Sequence, residues 1–213
     1  MKQFFLSSLI CLGLFSAKGQ IDTYKDSLET FQLEYMMNHE VVKGDDRKLI
    51  DFYDVKSQFR IVADFEPIKD DSTGIIMKTS GPLNKKFYRY GLAHFRIKNK
   101  PFHLTIYRAD PATSKPEYED YLFLPFTDKT CGDGSYGGGR YIDLSTADVV
   151  NNKIVIDFNK AYNPYCAYAT GYNCPIPPKE NYLDAEIKAG EKDYKKKKDK
   201  EKDKDKDKNR HKD

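Results

Sequence analysis

The 213-residue sequence predicts a mainly β (α+β) domain, an antiparallel β-barrel or sandwich of about eight strands with an N-terminal amphipathic helix. Three observations carry that class. From Leu49 onward, apolar and polar residues alternate with the two-residue period of a half-buried strand. Clusters of Gly, Pro, Asn and Asp separate these segments at short intervals. No strand–helix–strand alternation is present, so the sheet is expected to be mainly antiparallel.

The chain opens with Met1-Lys2 and an apolar run from Phe4 to Phe15, too short to span a bilayer and placed where a secretory leader sits. Ala17-Lys18-Gly19 supplies small residues at the cleavage positions. Residues 1–19 are therefore read as a signal peptide, and the mature chain from Gln20 as exported, periplasmic or secreted, with no integral membrane segment after cleavage. Lipidation at Cys11 is disfavoured by the bulky Ile10.

Next, Tyr24, Leu28, Phe31, Tyr35 and Val42 share one face at helical spacing, and Thr23 with Asp26 resembles a capping box. Strands are expected at 59–65, 74–79, 87–97, 102–107, 121–126, 140–144, 153–158 and 184–188. A two- or four-residue loop after Ile97 puts Ala93, Phe95 and Ile97 on one face with Phe102, Leu104 and Ile106. The same register puts Tyr88, Tyr90 and His94 with His103, Thr105 and Tyr107 on the other.

Residues 20–190 thus form one domain, and 191–213 a Lys/Asp tail without an apolar residue after Tyr194, too polar to bury a core. The tail holds twelve Lys/Arg and eight Asp/Glu. Without it, and without Lys2 and Lys18, the net charge of +3 becomes about −3, which argues against a nucleic-acid partner. The tail itself suits solubilisation and weak contact with anionic surfaces.

Residues 157–181 put two cysteines, four tyrosines, four asparagines and four prolines into one segment, the composition of a shaped, rigid loop. Once the leader is gone, Cys131, Cys166 and Cys174 remain. Cys166 and Cys174 share that loop and are the natural disulfide pair; as a nucleophile, Cys166 would need His94 or His103 as base. The cysteine spacing fits no standard zinc pattern, and His94 with His103 offers only two ligands, so neither metal nor cofactor is implied. Gly132-x-Gly134-x-x-Gly137 matches the dinucleotide fingerprint as a string, but Arg140 to Leu144 reads as a strand where that motif needs a helix. A hairpin needing positive φ is the simpler account. Asp128, Asp133 and Asp143 lack calcium-loop spacing and read as turn residues.

Two blocks are unusual enough to carry a resemblance: Phe126-Thr-Asp128-Lys-Thr-Cys-Gly132 with Tyr136-Gly-Gly-Gly139-Arg140-Tyr141-Ile-Asp143-Leu144, and Asp157-Phe158-Asn159-Lys-Ala161-Tyr162-Asn163-Pro164 through Cys174-Pro175-Ile-Pro177-Pro178-x-Glu180-Asn181. Together with Ile187-Lys-Ala189-Gly190-Glu191 they resemble the bacterial and archaeal domain-of-unknown-function family number sixteen eighty-four, over most of 45–191. The resemblance implies no catalytic role.

The site expected from the residues is a ligand pocket or cleft. Tyr136, Tyr141, Tyr162 and Tyr168 supply stacking surface, and Arg140, Asp157, Asn159, Asn163 and Glu180 directed hydrogen bonds, to a sugar or an acidic small molecule. The structural alternative pairs Arg140 with Asp157 across strands. A hydrolase using Asp157 or Glu180, and a structural cell-envelope protein, are the other readings.

Overall fold

The computed structural model describes residues 11–194. Residues 1–10, the first part of the expected leader, and 195–213, nearly all of the expected tail, lie outside the described residues. The elements are α1 (Cys11–Asn38), β1 (Arg60–Pro67), β2 (Ile75–Met77), β3 (Lys85–Ile97), β4 (Lys100–Ala109), β5 (Tyr121–Asp128), β6 (Arg140–Ser145), β7 (Lys153–Asp157) and β8 (Tyr182–Leu183), with short 3-10 turns between them.

The strands run in the order β6-β5-β4-β3-β1-β7, with β2 added to β3 and β8 to β5. Every pair is antiparallel except β5–β8. β6 and β7 end the order, and the mainly antiparallel eight-stranded sheet curls into a half-barrel with one helix near the N-terminus, the class the sequence predicts. The expected strand at 184–188 is absent. Its backbone is drawn onto the β5 end, where Ala185 O accepts from Lys129 N and Ile187 N donates to Asp128.

Alternation sorts the side chains. Phe59, Ala63 and Phe65 turn inward while Arg60, Val62 and Asp64 face water. Ala93, Phe95, Leu104, Ile106, Leu122, Leu124 and Phe126 complete the concave core, closed by Phe158, Ile187 and Ala189. Each such Leu, Ile or Phe contributes about 1.5–3 kcal/mol on burial. The β3–β4 hairpin has the two-residue loop, with Lys98 and Asn99 at φ 47° and 64° and Ile97 opposite Lys100. Ala93 faces Leu104 and Phe95 faces Phe102, as the sequence predicts.

Toward the start of β3 the register departs from expectation. A bulge between Arg89 and Gly91 sets Arg89, not Tyr90, opposite Tyr107, and Tyr90 packs on Phe65 with ring centroids 5.7 Å apart. One extra residue reverses which side of the sheet the following side chains occupy.

The convex face carries a second cluster, Met77, Phe87, Tyr107, Phe123 and Tyr141. The loop after β7 crosses it: Tyr141 and Tyr162 exchange backbone hydrogen bonds of 2.9 and 3.0 Å, and the Tyr141 hydroxyl donates to the Pro175 carbonyl.

On α1, Leu28 is buried and Tyr24, Phe31 and Tyr35 are half-buried, the face expected. Thr23 lies inside α1 (Cys11–Asn38) and not at the helix start that a capping box requires. Val42 follows the helix and joins Ile50 and Tyr194 in a third small core. Glu191 to Tyr194, placed with the tail by composition, pack on the body: Glu191 is fully buried, Tyr194 is 5 % exposed, and Lys192 N donates to Asp51 O.

Candidate functional site

The expected site residues fall into several places, and no single pocket gathers them. Arg140 starts β6 with its side chain turned inward and no exposed surface. Its Nη2 reaches Asp128 Oδ1 at 3.1 Å and the Ile187 carbonyl at 2.9 Å, and its Nη1 donates to the Ala189 and Glu191 carbonyls. Asp128 completes the grip by accepting from Thr130 N and Ile187 N. Arg140 therefore clamps the C-terminal segment onto the sheet, and its partner is Asp128 rather than Asp157. The glycine-rich segment is the β5–β6 connection, with Gly132, Gly134 and Gly139 at positive φ and a strand after it. A Cβ on Gly139 would come within 2.7 Å of the Phe126 carbonyl, so the turn excludes side chains there.

Asp157 caps the turn after β7. Its oxygens accept from Tyr24 Oη at 2.8 Å and from Asn159 N and Nδ2 at 3.1 and 3.0 Å. Asn159 is buried and bonds both backbone groups of Lys56. This pair ties α1 and the segment before β1 to the end of β7.

Asn163 and Tyr168 converge on a residue that sequence reasoning had assigned to the tail. Asn163 N donates to Glu191 Oε2 at 2.8 Å, Tyr35 Oη donates to the same oxygen at 3.2 Å, and Tyr168 Oη donates to Oε1. Burial pushes the Glu191 carboxyl up to about 7 against the pull of those donors. His39 lies beside them, its ring centroid 4.4 Å from that of Tyr168. Burial and then the charges of Lys43 and Arg47 lower it to about 4, and Nδ1 accepts from Val42 N.

Tyr162 and Tyr141 belong to a different surface. Asp143 points outward from β6, two residues after Tyr141, and its Oδ1 accepts from Tyr121 Oη and Tyr162 Oη, each at 2.6 Å. Burial and the Asp143 charge raise both phenols, so they remain donors. Asp143 Oδ2 takes no hydrogen bond from the described residues. Tyr141 stands edge-on to Tyr162 and Phe123, at 5.8 and 4.8 Å. Tyr118 flanks Tyr121 at 6.0 Å, and Tyr165 packs on Tyr172 at 5.3 Å. Tyr118, Tyr165 and Tyr172 are 47 %, 36 % and 38 % exposed. Tyr165 Oη donates to Glu40 at 2.6 Å, and its ring is joined to Tyr162 through His39 and Tyr35, with centroid steps of 6.1, 5.3 and 6.1 Å. The result is a belt of tyrosines around an accessible carboxylate. The sequence points to Tyr141 and Tyr162 but not to Tyr121, and Asp143, expected as a turn residue, lies inside β6, where strand alternation from Tyr141 puts it on the same face.

Tyr136 is half-buried in the glycine turn, and Glu180 is exposed, accepting from Tyr107 Oη at 3.0 Å. Cys166 and Cys174 are joined as a disulfide, with Cα atoms 6.3 Å apart. Ser80 laces that loop to the chain after β2: its hydroxyl receives Cys174 N, and its amide donates to the Cys174 carbonyl. Cys131 is free and half-buried against Asp128, and burial raises its thiol. Among the described residues, no group of three metal-capable side chains converges, and no helix is long and apolar enough to cross a membrane.

Comparison with known proteins gives a family match and matches to solved structures. The family model described as "Protein of unknown function (DUF1684)" matches residues 46–192. The solution NMR structure of an uncharacterized protein from Haloarcula marismortui is similar at 26% identity and a TM-score of 0.62, covering 82% of this chain and 96% of that one. No curated protein matches.

Proposed function

The chain belongs to the family of proteins of unknown function DUF1684, and from that premise we propose that it is an exported binding module whose tyrosine belt takes a sugar or a similar small polyol. The observation that carries this reading is Asp143 between the Tyr121 and Tyr162 hydroxyls at 2.6 Å, with Oδ2 left over as an acceptor beside exposed aromatic rings. Aromatic faces suit the C–H surface of a pyranose, and a fixed carboxylate suits its hydroxyls. With Asp143 and Glu40 both acidic and Arg140 buried away, a neutral ligand fits the belt better than an acid. Export is supported by the leader-like first 19 residues and by a disulfide, which persists outside the cytosol.

The experiment is a thermal-shift and calorimetric screen of the parent against sugars, acids and nucleotides, repeated with Asp143→Asn and Tyr162→Ala. Sugar binding lost in both variants with the fold intact supports the module. Binding that survives both, or a hit confined to acids, rejects it. Mass spectrometry of the protein from its native host checks export: a chain starting near Gln20 is expected, and an intact Met1 terminus counts against it.

A further inference from the structure

A cleft of about 440 Å³ opens between α1 and the extended chain after Ile50, apart from the belt and large enough for a small ligand. One wall is a stripe of α1 at helical spacing, Lys25, Glu29, Gln32 and Met36. The facing segment runs antiparallel to the helix. Phe52 packs on Tyr35 at 5.8 Å, and four residues later Lys56 reaches Asn159, which also bonds Tyr24.

The two ends differ in chemistry. At one, Met36, Ile50 and Phe52 form an apolar floor continuous with Val42 and Tyr194. At the other, Lys25 is matched by Glu29 at 3.5 Å, and along the wall Asp51 is matched by Lys192 at 3.0 Å. Exposed Asp54 has no partner among the described residues, so the uncompensated charge is negative. Between the ends, Gln32 Nε2 is shielded from bulk water without a hydrogen-bond partner among the described residues. Rotation of the Gln32 amide about its side-chain torsions brings that donor to the cleft, where it gains from an acceptor brought by a ligand.

We propose that this cleft binds a small cationic amphiphile: an apolar body on Met36, Ile50 and Phe52, a carbonyl or hydroxyl oxygen on the Gln32 amide, and an ammonium at Asp54. The site is independent of the tyrosine belt and stands or falls separately from it.

The test uses the full chain with isotope-labelled methionine methyls and three matched probes, the octanoyl amides of ethylenediamine, ethanolamine and glycine, which end in an ammonium, a hydroxyl and a carboxylate. The Met36 methyl, assigned with Met36→Leu, is expected to shift with the ammonium probe. That probe should bind about threefold to fivefold more tightly than the hydroxyl probe, the scale of a half-exposed ion pair, with the carboxylate weakest. Asp54→Asn should erase the ranking, and Gln32→Leu should weaken all three. Equal affinities, a carboxylate preference, a ranking that survives Asp54→Asn, or a Met36 methyl that stays still with every probe would each overturn the proposal. An Asp143→Asn variant should leave these titrations unchanged, which separates this site from the belt.

Discussion

Strand β6 serves two regions with opposite characters. Arg140 and Ile142 face inward, Arg140 into a seam with Asp128 and the chain at 187–191; Tyr141 and Asp143 face outward, into the tyrosine belt. In the seam nearly every polar group is buried and engaged, and Gly190, at φ 73°, lets the chain pass within 2.7 Å of two carbonyls where a Cβ would stand. In the belt Tyr118, Tyr165 and Tyr172 are exposed, Tyr121 and Tyr162 are half-buried, and one carboxylate oxygen is left over. Charged residues in one short motif thus have unlike jobs, and a single step along the strand decides which. Burial of a charge marks the residue that holds the fold, and the charge left accessible among aromatics is the one on which the proposed binding function rests.

The comparison can be broken most sharply at the seam. Arg140→Ala strands the Asp128 carboxylate in the core and should cost about 3–5 kcal/mol, read by chemical denaturation. A near-neutral result would mean that the guanidinium is spare and available to a ligand.

Glu191 gives the next largest effect. Its carboxyl is held near 7 when folded against 4.5 unfolded, so the native state keeps a proton that the unfolded chain has released. Stability therefore falls as pH rises from about 4.5 to about 7, by on the order of 3 kcal/mol from this group. His39, lowered to about 4, acts in reverse and loses its contribution as pH falls from about 6.5 to about 4. Between about 4.5 and 6.5 the two slopes oppose, and a plateau in melting temperature is expected there. Glu191→Gln should abolish the decline above the plateau. An unchanged profile in that variant would place the neutral-pH proton elsewhere.

Reducing the Cys166–Cys174 bridge, which spans eight positions, should cost roughly 2–3 kcal/mol. Peptide mapping should find it with Cys131 free. The smallest effects belong to the belt and the tail. Asp143→Asn, on an exposed carboxylate, should change stability by no more than about 0.5 kcal/mol while removing sugar binding. Deleting 195–213 should move the melting temperature by only about a degree or two. A large loss from either change would mean that the residues removed hold the fold.

Periodicity carried most of the fold into the sequence. Seven of the eight expected strands coincide with β1 to β7, and the Lys98-Asn99 turn follows from matching hydrophobic faces. What local pattern could not carry was closure at a distance. Nothing near Arg140 tells that its guanidinium waits for carbonyls at 187–191, or that Glu191, written in the composition of a charged tail, ends buried under Tyr35 and Tyr168. The segment at 184–188 has strand composition but is pulled onto Asp128 and Lys129 instead of pairing as a strand. The bulge at Arg89/Gly91 likewise lies outside what alternation encodes. Asp143 was legible in principle, since it shares a strand face with Tyr141.

The central claim, that the belt meets the ligand and the seam holds the fold, is tested most directly by residue-resolved NMR of the parent titrated with sugars. Shifts are expected at Tyr118, Tyr121, Asp143, Tyr162, Tyr165 and Tyr172, with Arg140, Asp128 and Glu191 silent. Saturable shifts centred on the seam, or none at the belt with any sugar in the panel, would contradict it.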